Sequence, residues 1–217
     1  MRLLSKIISY IFHPLMMLTF IICIFLLVNP YLFGRSSIKD GWWIIFQVFQ
    51  TTFLLPAFAV LMMKHLGLVQ SLEMEERTDR IIPYISSGIF YIWVYMSVKS
   101  NSAFPIVFDI AVLGSTISLF MAFFVNNFSK VSAHATGVGG LISSTLVMMH
   151  WFSFRSFYWG NAQIEIPVYR VLMTVILIAG MVCSARLYLN AHDGKDIVQG
   201  LFIGFLGSAI ATWYFLW

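Results

Sequence analysis

Apolar residues in this chain come in long, nearly uninterrupted runs. Seven stand out, at about 7–29, 43–66, 81–98, 103–127, 135–153, 167–186 and 197–217. A helix advances ~1.5 Å per residue, so roughly 20 apolar residues cross the hydrocarbon of a bilayer. The runs predict an all-α, polytopic membrane helix bundle of about six to seven transmembrane helices. The bundle would form a single integral membrane domain over residues 1–217. The third run, which contains Pro83, and the fifth, rich in Gly and Ser, are the weakest of the seven. The first is too long and too apolar for a cleaved leader and has no small-residue cleavage site after it, so it reads as a span.

Composition supports the same picture. Of the 217 residues, 60% are hydrophobic and only 10% are charged. Soluble domains carry roughly a quarter of their residues as charges. A surface of this composition calls for the bilayer as solvent. The net charge of +4 is small and scattered. That points away from nucleic acid and suits anionic lipid headgroups. Cys23 and Cys183 both lie inside apolar runs, which reads as packing and neither as a disulfide framework nor as a zinc site.

The polar residues are unevenly shared between the two ends of the bundle. If all seven runs span, the N-terminus and the connections at 71–83, 126–136 and 184–196 emerge on one face. Those connections hold Glu73, Glu75, Glu76, Asp79, Asp193 and Asp196, six of the nine acidic residues, together with His134 and His192. Arg77, Arg80, Lys130, Arg186 and Lys195 join them there. The opposite connections, around GRSSIKDG, SVKSNS and SFRSFYWGNAQIEIP, are plainer. Chemistry gathers on one face.

Three stretches could carry it. In SARLYLNAHDGKDIVQG, Arg186 precedes His192 by six residues and Asp196 follows four later. A last helix beginning near Gly194 would set Asp196 in its first turn, where the helix dipole favours a carboxylate. Asp196 could then hold one ring nitrogen of His192 and leave the other free as a nucleophile. The plainer reading is a polar turn with Arg186 reaching to the interface. In VSAHAT, Ser132 caps the fifth helix, and the outward-pointing amides that follow attract anions. His134 could pass a proton to a leaving oxygen; a plain cap with an interfacial His is the alternative. In EMEERTDRIIP, Arg77 and Arg80 lie three apart and could face one anion, or could simply balance their acidic neighbours.

The ordered set Ser132-Ala133-His134, then Ser184, Arg186, His192 and Asp196, resembles the membrane branch of the type 2 phosphatidic acid phosphatase family. That family's pattern runs K-x6-R-P, then P-S-G-H, then S-R-x5-H-x3-D. Val131 and Ala133 stand here in place of its Pro and Gly, and Ala185 intrudes after Ser184. Arg80 is the candidate for the first block, with Pro83 three residues on and Glu73 where the Lys belongs. The resemblance implies a membrane phosphatase that hydrolyses a lipid phosphate or a polyprenyl diphosphate through a phosphohistidine, without a metal or other cofactor. His192 would be the nucleophile, Asp196 its orienting partner, and His134 the acid and then the base. Arg186, Ser132, the amides near Ala133, Arg80, Arg77 and Lys130 would hold the phosphoryl oxygens. Partners would be the lipid substrate and the bilayer, in the inner (cytoplasmic) membrane of a bacterium.

Two other classes compete. HDGKD and the Glu-rich loop offer carboxylates to divalent ions, as a metal-dependent lipid phosphotransferase would need. A non-enzymatic carrier or scaffold would put the weight on Asp109 in the fourth run, because ionisable groups within membranes are costly and usually functional.

Overall fold

Proline decides where the first two apolar runs depart from plain helices. The computed structural model describes residues 1–69, 78–99, 101–159 and 164–217. The first run is not continuous. Helix α1 (Arg2–Ile11) ends at Phe12, His13 turns extended, and Pro14–Met16 form a 3₁₀ turn before α2 (Met17–Val28). Pro14 has no amide for a helical bond and its ring pushes the residue before it out of the helical region. The second run is one long helix, α3 (Trp42–Phe49) and α4 (Leu55–His65), joined by a π-helical turn at Gln50–Leu54. Pro56 offers no N–H to the Thr52 carbonyl, and the helix widens just ahead of it.

The remaining helices are α5 (Ile81–Lys99), α6 (Ile106–Asn126), α7 (Ala133–Trp151), α8 (Val168–Tyr188) and α9 (Gly194–Leu216). A short antiparallel hairpin, β1 (Ser156–Trp159) with β2 (Ile164–Pro167), fills the connection before α8 where sequence alone suggests a loop. Among the described residues, six helical stretches are long and apolar enough to cross a membrane: Arg2–Val28, Trp42–His65, Ile81–Lys99, Ile106–Asn126, Val168–Tyr188 and Gly194–Leu216. The chain is an all-α, polytopic integral membrane bundle. Its outer surface is apolar, with Leu177, Phe202 and Trp213 each more than half exposed.

Among the described residues, α7 is the one long helix that falls short of that apolarity, and its packing explains why. It runs through the middle of the bundle against α2, α6, α8 and α9. A helix walled off from lipid by protein has no need of an oily surface. Ser143, Ser144 and Thr145 are buried in it, and the Thr145 hydroxyl donates back to the Leu141 carbonyl at 2.8 Å. Both ends of α7 are matched to α2. His134 lies beside His13, and Asn29 Nδ2 donates to the Phe152 carbonyl at 2.9 Å. The two helices therefore run in the same direction.

Glycine sets the depth of the crossing between α7 and α9. A Cβ on Gly200 would meet the Ser132 carbonyl oxygen at 2.6 Å, Ala135 Cβ at 2.9 Å and the Thr136 nitrogen at 3.1 Å. A Cβ on Gly139 would meet the Leu201 carbonyl oxygen at 2.6 Å. Most of these are backbone atoms, so the helices would have to part. Without a water-driven hydrophobic force inside a bilayer, small residues that let backbones approach are the main source of helix adhesion. Gly114 plays the same part in α6, where a Cβ would sit 2.9 Å from Ser208 Cα of α9. Lys99 lies over the Tyr214 ring near the far end of α9, and Val168 N donates to the Arg155 carbonyl at 3.0 Å at the start of α8. Those residues occupy the end of the bundle opposite Lys130 and Asp193, as the counting of spans requires.

Gly200→Ala should therefore destabilise the bundle, by about the 1–3 kcal/mol typical of overpacking. Gly180→Ala is the control, because nothing lies within 4 Å of its Cβ position. It should be neutral or gain slightly from alanine's helix propensity. Thermal unfolding in detergent micelles separates the two, and equal midpoints would show that the crossing tolerates a methyl group.

Candidate active site

The start of α9 is built by its own local sequence. Asn190 adopts a left-handed backbone (φ 53°), a conformation Asn tolerates better than most residues, and this turns the chain out of α8. Asp193 then caps α9, its Oδ1 accepting from the Asp196 amide at 2.8 Å. That bond holds the Asp193 carboxyl below the usual carboxylate range. Asp196 consequently stands in the first turn, and its Oδ2 accepts from His192 Nδ1 at 2.9 Å. A carboxylate has no proton to give, so Nδ1 carries the hydrogen and Nε2 of a neutral His192 keeps its lone pair. The His192 side chain is only 3% exposed. Burial is the main cause that pushes its proton affinity below the ordinary imidazole range. The bond to Asp196 opposes this, and the charges of Arg80 and Arg186 add to the lowering.

The start of α7 meets the start of α9 directly. Ser132 N donates to the Asp196 carbonyl at 3.2 Å, and Ser132 Oγ caps α7 by accepting from the Ala135 amide at 3.3 Å. The amides of Ala133 and His134, in the first turn, have no partner within the helix, as at any helix start. His134 Nε2 donates to the Ser9 carbonyl at 3.0 Å. A carbonyl can only accept, so the hydrogen sits on Nε2 and the free position of His134 is Nδ1.

Two arginines complete the cluster. Arg186, in the last turn of α8, is near enough to His13, His134 and His192 to act electrostatically on all three rings. Arg80 lies half-buried ahead of α5; its guanidinium donates to the Val131 carbonyl at 3.4 Å and acts on His192 as well. The structure thus brings together Arg80, Ser132, Ala133, His134, Arg186, His192 and Asp196. Lys130 lies just before them, half-buried in the loop leading to Ser132. Arg77, Glu73, Glu75 and Glu76 lie outside the described residues, so the pairing of Arg77 with Arg80 does too.

Among the described residues, no three His, Cys, Asp or Glu side chains are grouped to ligate a metal ion. Asp109 belongs to the opposite end of the bundle. It occupies the first turn of α6 within the electrostatic reach of Lys99. The helix dipole and that charge favour its carboxylate, while its Oδ1 is buried with no hydrogen-bond partner among the described residues.

His13 is the neighbour that sequence reasoning misses. Its ring packs edge-on to His134 with centroids 5.9 Å apart. The available signal was a His-Pro pair interrupting an apolar run, because ionisable residues within such runs are uncommon and usually functional. No protein-family model, curated protein or solved structure matches the chain.

Proposed function

We propose that the chain is a metal-independent membrane phosphatase acting on a lipid phosphate or polyprenyl diphosphate. The observation that carries this reading is the buried His192–Asp196 pair with Nε2 left free, set against a capped helix start and two arginines. A nucleophile, a second histidine and several anion-holding donors converge at one end of a membrane bundle. The motif resemblance supports the same assignment of roles.

Chemistry on this arrangement runs in two steps. The phosphoryl group lies against the guanidinium groups of Arg80 and Arg186, the Ser132 hydroxyl and the amides of Ala133 and His134, with Lys130 adding positive charge. His192 Nε2 attacks phosphorus, and an N–P bond forms as the bond to the lipid oxygen breaks. Protonated His134 gives its Nδ1 proton to that departing oxygen. Asp196 holds the positive charge that builds on the His192 ring. In the second step neutral His134 Nδ1 takes a proton from water, whose oxygen attacks phosphorus. The N–P bond breaks, its electron pair returns to Nε2, and phosphate leaves. The donors are in place before charge develops, which is how a preorganised site lowers a barrier.

A lipid substrate fits the location, since its tails can stay among the apolar outer residues while only the head enters. In a bacterium, a helical rather than β-barrel architecture belongs to the inner membrane.

Purified protein in mixed micelles should release phosphate from phosphatidic acid, phosphatidylglycerol phosphate, lipid A or a polyprenyl diphosphate, with EDTA present. His192→Ala should abolish turnover. His134→Ala should cost roughly 10²- to 10⁴-fold on lipid phosphates, the usual worth of general acid–base catalysis, and less on p-nitrophenyl phosphate, whose leaving group needs no proton. Full activity in His192→Ala, or complete loss with EDTA that added metal restores, would sink the assignment.

Arg80→Ala gives a separate check. If Arg80 holds the phosphoryl group, the loss should be about 3–4 kcal/mol of transition-state stabilisation, on the order of a hundredfold or more in rate. A guanidinium serving only as an interfacial ion-pair partner would cost about 0–1 kcal/mol. A near-normal rate in this variant would leave the phosphate clamp to Arg186, Lys130 and the α7 amides.

A further inference from the structure

The first two spans each carry an irregularity, and both lead to the same ring. The break at Phe12–Pro14 presents His13, and the π-helical turn at Gln50–Leu54 presents Phe53. Phe53 packs edge-on to His13 with centroids 6.0 Å apart, and His13 packs edge-on to His134 at 5.9 Å. Three rings from three elements form one stack that ends at the start of α7. The middle ring is pinned in orientation: His13 Nδ1 accepts from the Leu15 amide at 3.3 Å, capping the 3₁₀ turn. The same stretch of chain supplies the Ser9 carbonyl that accepts from His134 Nε2.

We propose that His13 is a positioning residue for His134: with Phe53 behind it and the Ser9 carbonyl beside it, it holds the His134 ring so that Nδ1 faces the leaving oxygen. This rests on the phosphatase reading above. His134 lies in the first turn of α7, half-buried, where a ring held by one hydrogen bond alone could still swing about that bond. The edge of His13 blocks that motion. The other charged or titratable groups acting on the pair are Arg186 from α8 and, on His134, His192 from the loop before α9. No carboxylate acts on either ring among the described residues, so the pair is set up to meet an anion and not to neutralise one already present. Misplacing a catalytic group by about 1 Å can cost on the order of a hundredfold in rate, so a ring that only holds another ring can matter to turnover.

The test separates the ring of His13 from its capping nitrogen. His13→Asn keeps a side-chain acceptor suited to a helix cap and removes the imidazole. Activity is compared on phosphatidic acid in mixed micelles, which needs a proton on its leaving oxygen, and on p-nitrophenyl phosphate, which does not. The expected result is a fall of kcat on phosphatidic acid, on the order of ten- to a hundredfold, with KM unchanged and a much smaller fall on the aryl ester. Phe53→Leu, which keeps apolar volume without the ring, should show the same split to a lesser degree. Equal losses on both substrates would overturn the proposal in favour of a purely structural role, and so would a His13→Asn enzyme indistinguishable from wild type. An inactive wild-type protein would instead bring down the phosphatase reading, and this proposal with it.

Discussion

The close approach of α7 to α9 is the constraint on which the rest depends. Gly139 on one helix and Gly200 on the other remove the side chains that would hold their backbones apart. In a bilayer this contact has unusual weight, because lipid tails are as apolar as the helices and only packing and hydrogen bonds discriminate. The glycines lie close to the helix ends that carry Ser132, His134 and Asp196. Gly200 is one turn beyond Asp196 and faces Ser132 and Ala135, so adhesion and site assembly are the same event. The hydrogen bond from Ser132 N to the Asp196 carbonyl is its direct consequence.

Hydrogen bonding then settles what each histidine can do. His192 has its Nδ1 hydrogen committed to Asp196, and His134 has its Nε2 hydrogen committed to a backbone carbonyl. The free nitrogens are therefore different ones, Nε2 on the first and Nδ1 on the second. Around them stand Arg80 and Arg186, with Asp196 already engaged. The downward push on His192 has burial as its largest cause, and the charges of the two arginines add to it. On the proposed reading, the free Nε2 of His192 is the nucleophile and the free Nδ1 of His134 carries the proton.

Local features were legible in the sequence and tertiary ones were not. The start of α9 at Gly194, Asp196 in its first turn and the Ser132 cap follow from spacing of a few residues, and the structure has all three. The arrival of Arg80 beside Val131 could be suspected from motif order alone. The break at Pro14 and the π-helical turn ahead of Pro56 lie inside runs whose apolarity reads as plain helix, since hydropathy is blind to backbone form. His13 stayed hidden for that reason: its meaning depends on His134, more than a hundred residues away. The central place of α7 was equally obscure, because a helix shielded by protein loses the apolar surface by which spans are recognised.

The most direct test of the account is chemical trapping of the phosphoryl enzyme. Protein turning over radiolabelled phosphatidic acid is quenched in alkali, digested and mapped. The account predicts an acid-labile, alkali-stable label on the peptide that contains His192, as befits an N–P bond. An alkali-labile label on a carboxylate such as Asp196, or steady phosphate release with no label trapped on His192, would contradict it.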